Sequence, residues 1–351
     1  MNTFGRKFRV SIFGESHGEA IGVVLDGGQP GLPLDIEDFT ADILRRKSGP
    51  KGTTPRIEAD IPELLSGVYN GLTTGAPLTI LFHNRNTRSG DYSLFNAVPR
   101  PGHADFTASI KWLDFNDPRG GGHFSGRLTL PLVAAGVVAK KMVAAQIRAE
   151  LIEVGGVTKA EALREEALPD GGIEEKDQPA NIWRAVLDQA MADLDSVGGI
   201  VECRADGLPA GLGEPFFDSV ESLLAHAVFA IPGVRGIEFG DGFQAARMRG
   251  SEHNDPFDRV VDSGFQKNAL PSKNGAGGVN GGITNGNPLV FRVAFKPTSS
   301  IGRPQETFNF ATGKMTTLRI PGRHDTCFAL RTPVIVEAVT AIVLADLMRL
   351  I

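Results

Sequence analysis

The sequence predicts a mixed α+β fold in a single domain, on three observations. Two stretches, 131–151 and 333–350, carry apolar residues at helical spacing. Short β-branched runs bounded by turn residues recur along the rest of the chain. No linker or break in composition divides the 351 residues, a length that suits one large domain or two ordinary ones, so residues 1–351 are read as one.

In chain order, residues 8–13 (Phe-Arg-Val-Ser-Ile-Phe) read as a strand and 21–25 as a second. The latter is stopped by Asp26-Gly27-Gly28 with Pro30 close behind. A short helical segment precedes Arg45-Arg46-Lys47. Residues 131–151 have proline near the start, then Val133, Val137, Val138, Met142 and Ala145. They are apolar nearly all round until Gln146, which predicts a buried helix. Charged residues at 165–177 predict an exposed excursion. Helices at 181–197 and 215–230 are stopped by Gly198-Gly199 and Pro232-Gly233. Strands are expected at 200–205 and 289–296. In the last helix, 333–350, Thr332 is placed to cap, Pro333 takes the first helical position, and Val336, Val339, Val343 and Leu347 form a stripe. Glu337, Asp346 and Arg349 make it a core helix and not a membrane span.

Composition fits a cytoplasmic enzyme. A net charge of −5 argues against general affinity for nucleic acid. Cys203 and Cys327 are far apart and without metal spacing, so neither a disulfide framework nor a metal is expected. The N-terminal residues lack a signal core, because Gly14, Glu15 and His17 interrupt the apolar run.

The 43 glycines exceed the average usage of roughly 7 %. Six fall between Gly275 and Gly286, and Gly120-Gly121-Gly122 form another cluster. Each cluster adjoins arginine, histidine or lysine, and bare backbone amides beside positive charge suit anions. Gly14-Glu15-Ser16-His17-Gly18 also satisfies G-x-S-x-G, the nucleophile elbow of the α/β-hydrolases. An elbow needs strand then helix, whereas this context reads strand, loop, strand.

Six blocks occur in one order. They are residues 14–27, Arg100-Pro101-Gly102-His103-Ala104-Asp105, Arg119-Gly120-Gly121-Gly122, Ala210-Gly211-Leu212-Gly213-Glu214-Pro215, Lys296-Pro297-Thr298-Ser299-Ser300, and Gly322-Arg323-His324-Asp325. Together they resemble the chorismate synthase family, from Phe4 to about Leu347. The resemblance implies a core of long helices sandwiched between antiparallel sheets, and a homotetramer. It implies conversion of 5-enolpyruvylshikimate 3-phosphate to chorismate by 1,4-anti-elimination of phosphate with loss of a C6 hydrogen. That hydrogen is not acidified by an adjacent carbonyl, which gives a physical reason for the family's reduced FMN.

Residue by residue, the resemblance assigns His17 to protonating the departing phosphate and His103 to protonating or holding the flavin. Asp325 resembles the aspartate that works with flavin N5 to remove the ring proton. Flavin contacts map to His123, Phe124 and Ser125, to Pro232 and Gly233, to Gly281, to Lys296, Pro297, Thr298, Ser299 and Ser300, and to Arg323. Arg45, Arg46, Lys51, Arg127 and Arg331 are the cations expected for the anionic substrate or NADP, and arginine suits bidentate contact with carboxylate or phosphate. NADPH or a separate flavin reductase is left open as the source of reducing power.

One departure stands out. Where many relatives have Arg-Ser-Ser-Ala-Arg-Glu-Thr, this chain has His123-Phe124-Ser125-Gly126-Arg127-Leu128-Thr129. Either His123 replaces a cation near the ligands, or the pair packs the loop. Two alternatives from other classes remain: a serine hydrolase using Ser16, and a non-catalytic binder of phosphorylated metabolites.

Overall fold

The computed structural model describes residues 2–87, 89–165, 179–263, 266–320 and 324–350. Most of the charged stretch 165–177, and Arg323, lie outside the described residues.

Two five-stranded antiparallel sheets enclose the long helices. The first contains β1 (Thr3–Phe4), β2 (Arg9–Gly14), β3 (Ala20–Asp26), β4 (Glu63–Ser66) and β5 (Leu78–His83), in the order β1-β2-β3-β5-β4. The second contains β6 (Gln146–Val154), β7 (Val157–Thr158), β8 (Gly199–Asp206), β9 (Val234–Phe239) and β10 (Leu289–Phe295), ordered β9-β10-β8-β6-β7. Strand alternation explains the facing: along β10 the residues from Leu289 to Phe295 alternate buried and half-buried, so one face meets the core.

Four helices matter for the site: α1 (Thr40–Arg46), α2 (Asp105–Trp112), α3 (Thr129–Met142) and α4 (Pro333–Met348). α3 packs on the first sheet, α4 packs on the second, and the two helices pack on each other. Gly136 makes that approach feasible, since a Cβ there would fall 2.2 Å from Cβ of Ala338. One cluster of buried residues runs from Phe8 through both sheets and helices to Leu347.

The structure corrects several boundaries. The helix expected at 131–151 ends at Met142, and from Gln146 the chain becomes strand β6. From Gln146 the sequence alternates polar and apolar, Gln-Ile-Arg-Ala-Glu-Leu, the period-2 pattern of a strand with one face turned inward. The helix expected at 181–197 is two pieces, Pro179–Ile182 and Arg184–Ala192. That expected at 215–230 is a helix only over Val220–Val228, where the Ser219 side chain accepts the backbone N–H of Ser222. Thr332 does not cap α4, because its hydroxyl donates to the carbonyl of Ala329.

α4 is buried all round instead of along one stripe, and its two acids are satisfied internally. Asp346 accepts backbone N–H groups of Arg6, Lys7 and Phe8 at 2.7–3.0 Å, tying the N-terminal segment to the core helix. Glu337 takes a bidentate pair from Arg45 at 2.7 and 2.8 Å, with Lys140 at 2.9 Å and the backbone N–H of Ala149 at 3.0 Å. Burial works to raise the Glu337 pKa, but these cations outweigh it and hold the carboxyl below its ordinary value. Among the described residues, no helix is long and apolar enough to cross a membrane.

Candidate active site

The loop between β2 and β3 carries Ser16 and His17. Its strands pair antiparallel, Gly14 opposite Ile21, so the nucleophile-elbow context is absent. The Ser16 N–H donates to the Gly122 carbonyl at 3.1 Å, docking the loop on the glycine triplet. Asn84 clamps it from the other side, its amide N–H groups donating to the carbonyls of Glu15 and Gly18 at 3.0 and 2.9 Å.

Between these loops and the end of the second sheet lies a cavity of about 590 Å³. Its lining includes seven arginine or lysine side chains against three carboxylates, in a chain whose overall charge is negative. The extended segment before β4 builds one wall. Its residues alternate, with Ile57 and Ile61 exposed while Glu58 and Asp60 are buried. Glu58 holds Arg56 at 2.7 Å and accepts backbone N–H groups of Arg85 and Asn86. Arg56 in turn donates to the hydroxyl and carbonyl of Ser16, at 3.1 and 3.3 Å. The hydroxyl therefore lies against a cation that cannot act as its base.

His17 stands behind this wall, 8 % exposed, edge-on to Tyr92. It is not itself in the cavity lining; Gly120, at φ +62, is, and packs on the ring, so that a Cβ there would sit 2.4 Å from His17. Burial, then the charges of Arg56 and Arg119, lower the His17 pKa, with Asp117 and Glu58 opposing. His103, in the turn before α2, lines the cavity. Its Nδ1 lies 2.7 Å from the Asp105 carboxylate and 3.1 Å from Arg100 Nη2. Burial nevertheless lowers the His103 pKa, more than Asp105 raises it. Asp105 itself is held well below the usual carboxylate range: burial opposes this, but hydrogen bonds from Arg100 and His103 prevail.

Asp325 lines the cavity, accepting the Thr54 N–H at 2.9 Å and pairing with Arg331 at 2.8 Å. Arg46 and Arg127 share the carboxylate of Asp60. Burial and the like charge of Arg331 push Arg46 down to about 9, still a cation at neutral pH. Lys296, at the end of β10, donates to the Gly102 carbonyl and to the Ser299 hydroxyl, leaving one N–H. Its pKa is lowered by burial and by Arg235.

A family model described as chorismate synthase matches residues 8–349. The chain belongs to the chorismate synthase family. It is 56 % identical to the chorismate synthase of Chitinophaga pinensis, over 100 % of this chain and 97 % of that one. Against the chorismate synthase of Dehalococcoides mccartyi identity is 46 %, over 99 % and 96 %. Against that of Korarchaeum cryptofilum it is 44 %, over 98 % and 96 %. A crystal structure of chorismate synthase superposes with a TM-score of 0.71 at 26 % identity, covering 98 % of this chain and 92 % of its own. The α+β architecture is thus the family's, and the chain is a shikimate-pathway enzyme.

The cavity gathers His103, Asp325, Arg46, Arg127, Arg331, Phe124, Ser125, Pro232, Gly233 and residues 296–299. It does not gather all of the expected residues, and His17 is among those outside its lining. Arg45 points the other way along α1, to Glu337 and Asp42. Lys51 pairs with Asp188. Gly281 sits in a separate hairpin turn between Val279–Asn280 and Ile283–Thr284. The buried Ser300 hydroxyl accepts from Arg100 at 3.1 Å. His123 donates from Nδ1 to the Gly14 carbonyl at 2.8 Å, and Phe124 packs on Trp112. At these two positions the chain thus has a loop tie from His123 and, in Phe124, an apolar contact that also lines the cavity. Sequence reading assigned no role to Glu58, Asp60, Asn84 or Tyr92. The alternation Arg56-x-Glu58-x-Asp60 between Pro55 and Pro62 was the one available signal. Among the described residues, no three His, Cys, Asp or Glu converge to hold a metal.

Proposed function

We propose that the chain converts 5-enolpyruvylshikimate 3-phosphate to chorismate and phosphate, with reduced FMN bound in the cavity. The observation that carries this reading is the excess of cations over carboxylates in a walled cavity of about 590 Å³, within the usual range for small-molecule sites. Arg46 Nε, Arg127 Nη2 and the Thr298 hydroxyl are buried in that wall without hydrogen-bond partners, which suits phosphate and carboxylate ligands. Phe124, Phe328, Pro232 and Pro297 supply the apolar surface that a flavin ring needs.

Reduced FMN, when bound, would supply electron density as phosphate leaves and recover it afterwards. The C–O bond to phosphate and the C6–H bond break, a new double bond forms, and no net oxidation occurs. Arg46 and Arg127 bind and orient the anionic substrate. To His17, which adjoins the lining residues Ser16 and Gly120, falls the proton given to the departing phosphate; the substrate's negative charge raises its lowered pKa and favours the protonated donor. Asp325, held by Arg331 and the Thr54 N–H, faces the cavity as acceptor of the ring proton. His103, oriented by Asp105, holds the flavin. The same reading includes a homotetramer in the cytoplasm, and reduction of FMN by NADPH or by a separate reductase.

Anaerobic incubation with reduced FMN and substrate tests the proposal, following chorismate absorbance and phosphate release. Turnover should require reduced FMN and consume none. Flavin oxidised in proportion to product would refute redox neutrality. Substrate bound without turnover would leave a non-catalytic binder.

A further inference from the structure

Asp60 is the residue of the cavity wall whose backbone is under strain. It is a non-glycine residue at φ +55, a left-handed conformation that aspartate tolerates better than most side chains but still adopts at a cost. Strain of this kind persists where the surroundings over-determine it, and it clusters at functional sites. Here the surroundings are two arginines from different parts of the chain. Arg46 comes from the last turn of α1 and Arg127 from the turn before α3. Arg127 Nη1 meets one carboxylate oxygen of Asp60, and Arg46 Nη2 lies 3.4 Å from the other. All three side chains are 5 % exposed or less.

Each guanidinium is tied at a further point. Arg46 Nη1 donates to the Thr129 hydroxyl at 3.1 Å, and Arg127 Nε to the Asn84 side-chain carbonyl at 3.0 Å. Each also keeps one buried N–H with no partner, Nε on Arg46 and Nη2 on Arg127. One carboxylate thus spans two cations and leaves a unit of positive charge uncompensated. Buried cations side by side repel, and without a shared anion the pair would separate or draw in water.

We infer that Asp60 is a positioning residue, which sets the two guanidiniums side by side as a receptor for one oxyanion of the substrate. It touches no reacting atom and acts through Arg46 and Arg127. The left-handed backbone turns its carboxylate inward between them, and the single shared charge keeps the pair cationic. The inference rests on the reading of this cavity as the substrate site.

Two variants test it. Asp60→Asn keeps the shape and tolerates the backbone, and Asp60→Gly relieves the strain outright. In both, KM for the enolpyruvyl phosphate should rise about 10-fold or more while kcat stays within about 3-fold, the pattern of lost binding shared by ground and transition states. Melting temperatures are recorded alongside. Asp60→Glu should not rescue, because a longer carboxylate on a left-handed backbone cannot reach both arginines in the same plane. An unchanged KM in Asp60→Asn and Asp60→Gly overturns the inference. So does failure of both to fold, which would make Asp60 a stability element only. If wild-type protein itself turns over nothing, the proposed function fails, and that outcome is distinct from either.

Discussion

Arg45 and Arg46 are adjacent in sequence and serve opposite ends. On α1 successive residues point about 100° apart, so one guanidinium meets the core helices and the other the cavity. Around Arg45, two cations face two carboxylates: Arg45 and Lys140 against Glu337 and Asp42. Around Arg46, two cations face one, and a buried N–H on each is left over. A cluster whose charges cancel within the protein stabilises the fold. A cluster that keeps a surplus is fitted to a ligand.

Changes in the cavity should therefore alter turnover and spare stability, while changes in the core network should do the reverse. The largest effect is expected at the histidines. His17→Ala and His103→Ala should each lose about 10²-fold in kcat with little change in melting temperature. Wild-type turnover in either variant would remove that histidine from the mechanism. Their pH behaviour sharpens the test. In the free protein both pKa values are lowered by burial. If protonated histidine is needed, kcat/KM should fall with rising pH along a limb below about 6.5. The limb in kcat should lie higher, because bound substrate raises His17. Coincident limbs would argue against contact between His17 and the phosphate.

Glu337→Ala comes next. Breaking a fully buried pair costs about 3–5 kcal/mol, but Arg45 is 45 % exposed and rehydrates, so about 2 kcal/mol is expected, with kcat/KM unchanged. The sign of the pH effect follows from its lowered folded pKa. Its contribution is present above the unfolded value of about 4.3 and is lost as pH falls through the folded value. Denaturant titrations between pH 7 and pH 3 should show wild type losing part of its advantage over Glu337→Gln across that window. An advantage that grew on acidification would contradict the assignment.

The smallest effect is expected at His123. Its Nδ1–H is committed to the Gly14 carbonyl, so His123→Ala should leave FMN affinity the same at pH 6 and pH 8. A weakening confined to pH 8 in wild type, absent from the variant, would restore it as a ligand.

Some of this was legible from residues alone. The opening hairpin and strands β8 and β10 followed from β-branched runs ending in glycine, proline or aspartate, because those cues are local. So did the glycine triplet beside a cation, and the family blocks that carry His103, Lys296 and Asp325. What sequence could not decide was direction and termination. Residues 131–145 are largely apolar, and nothing local in them marks Met142 as the helix end; packing stopped the helix there and set the following residues as β6, paired with β8. Arg45-Arg46-Lys47 reads as one basic run, yet helix rotation and the neighbours met on each side sent one arginine to a buried glutamate and the next to the cavity. Asp60 carries no mark in sequence beyond alternating with Glu58. Its role depends on a left-handed backbone and on Arg127, 67 residues away, and contacts at that range exist only after the chain has folded.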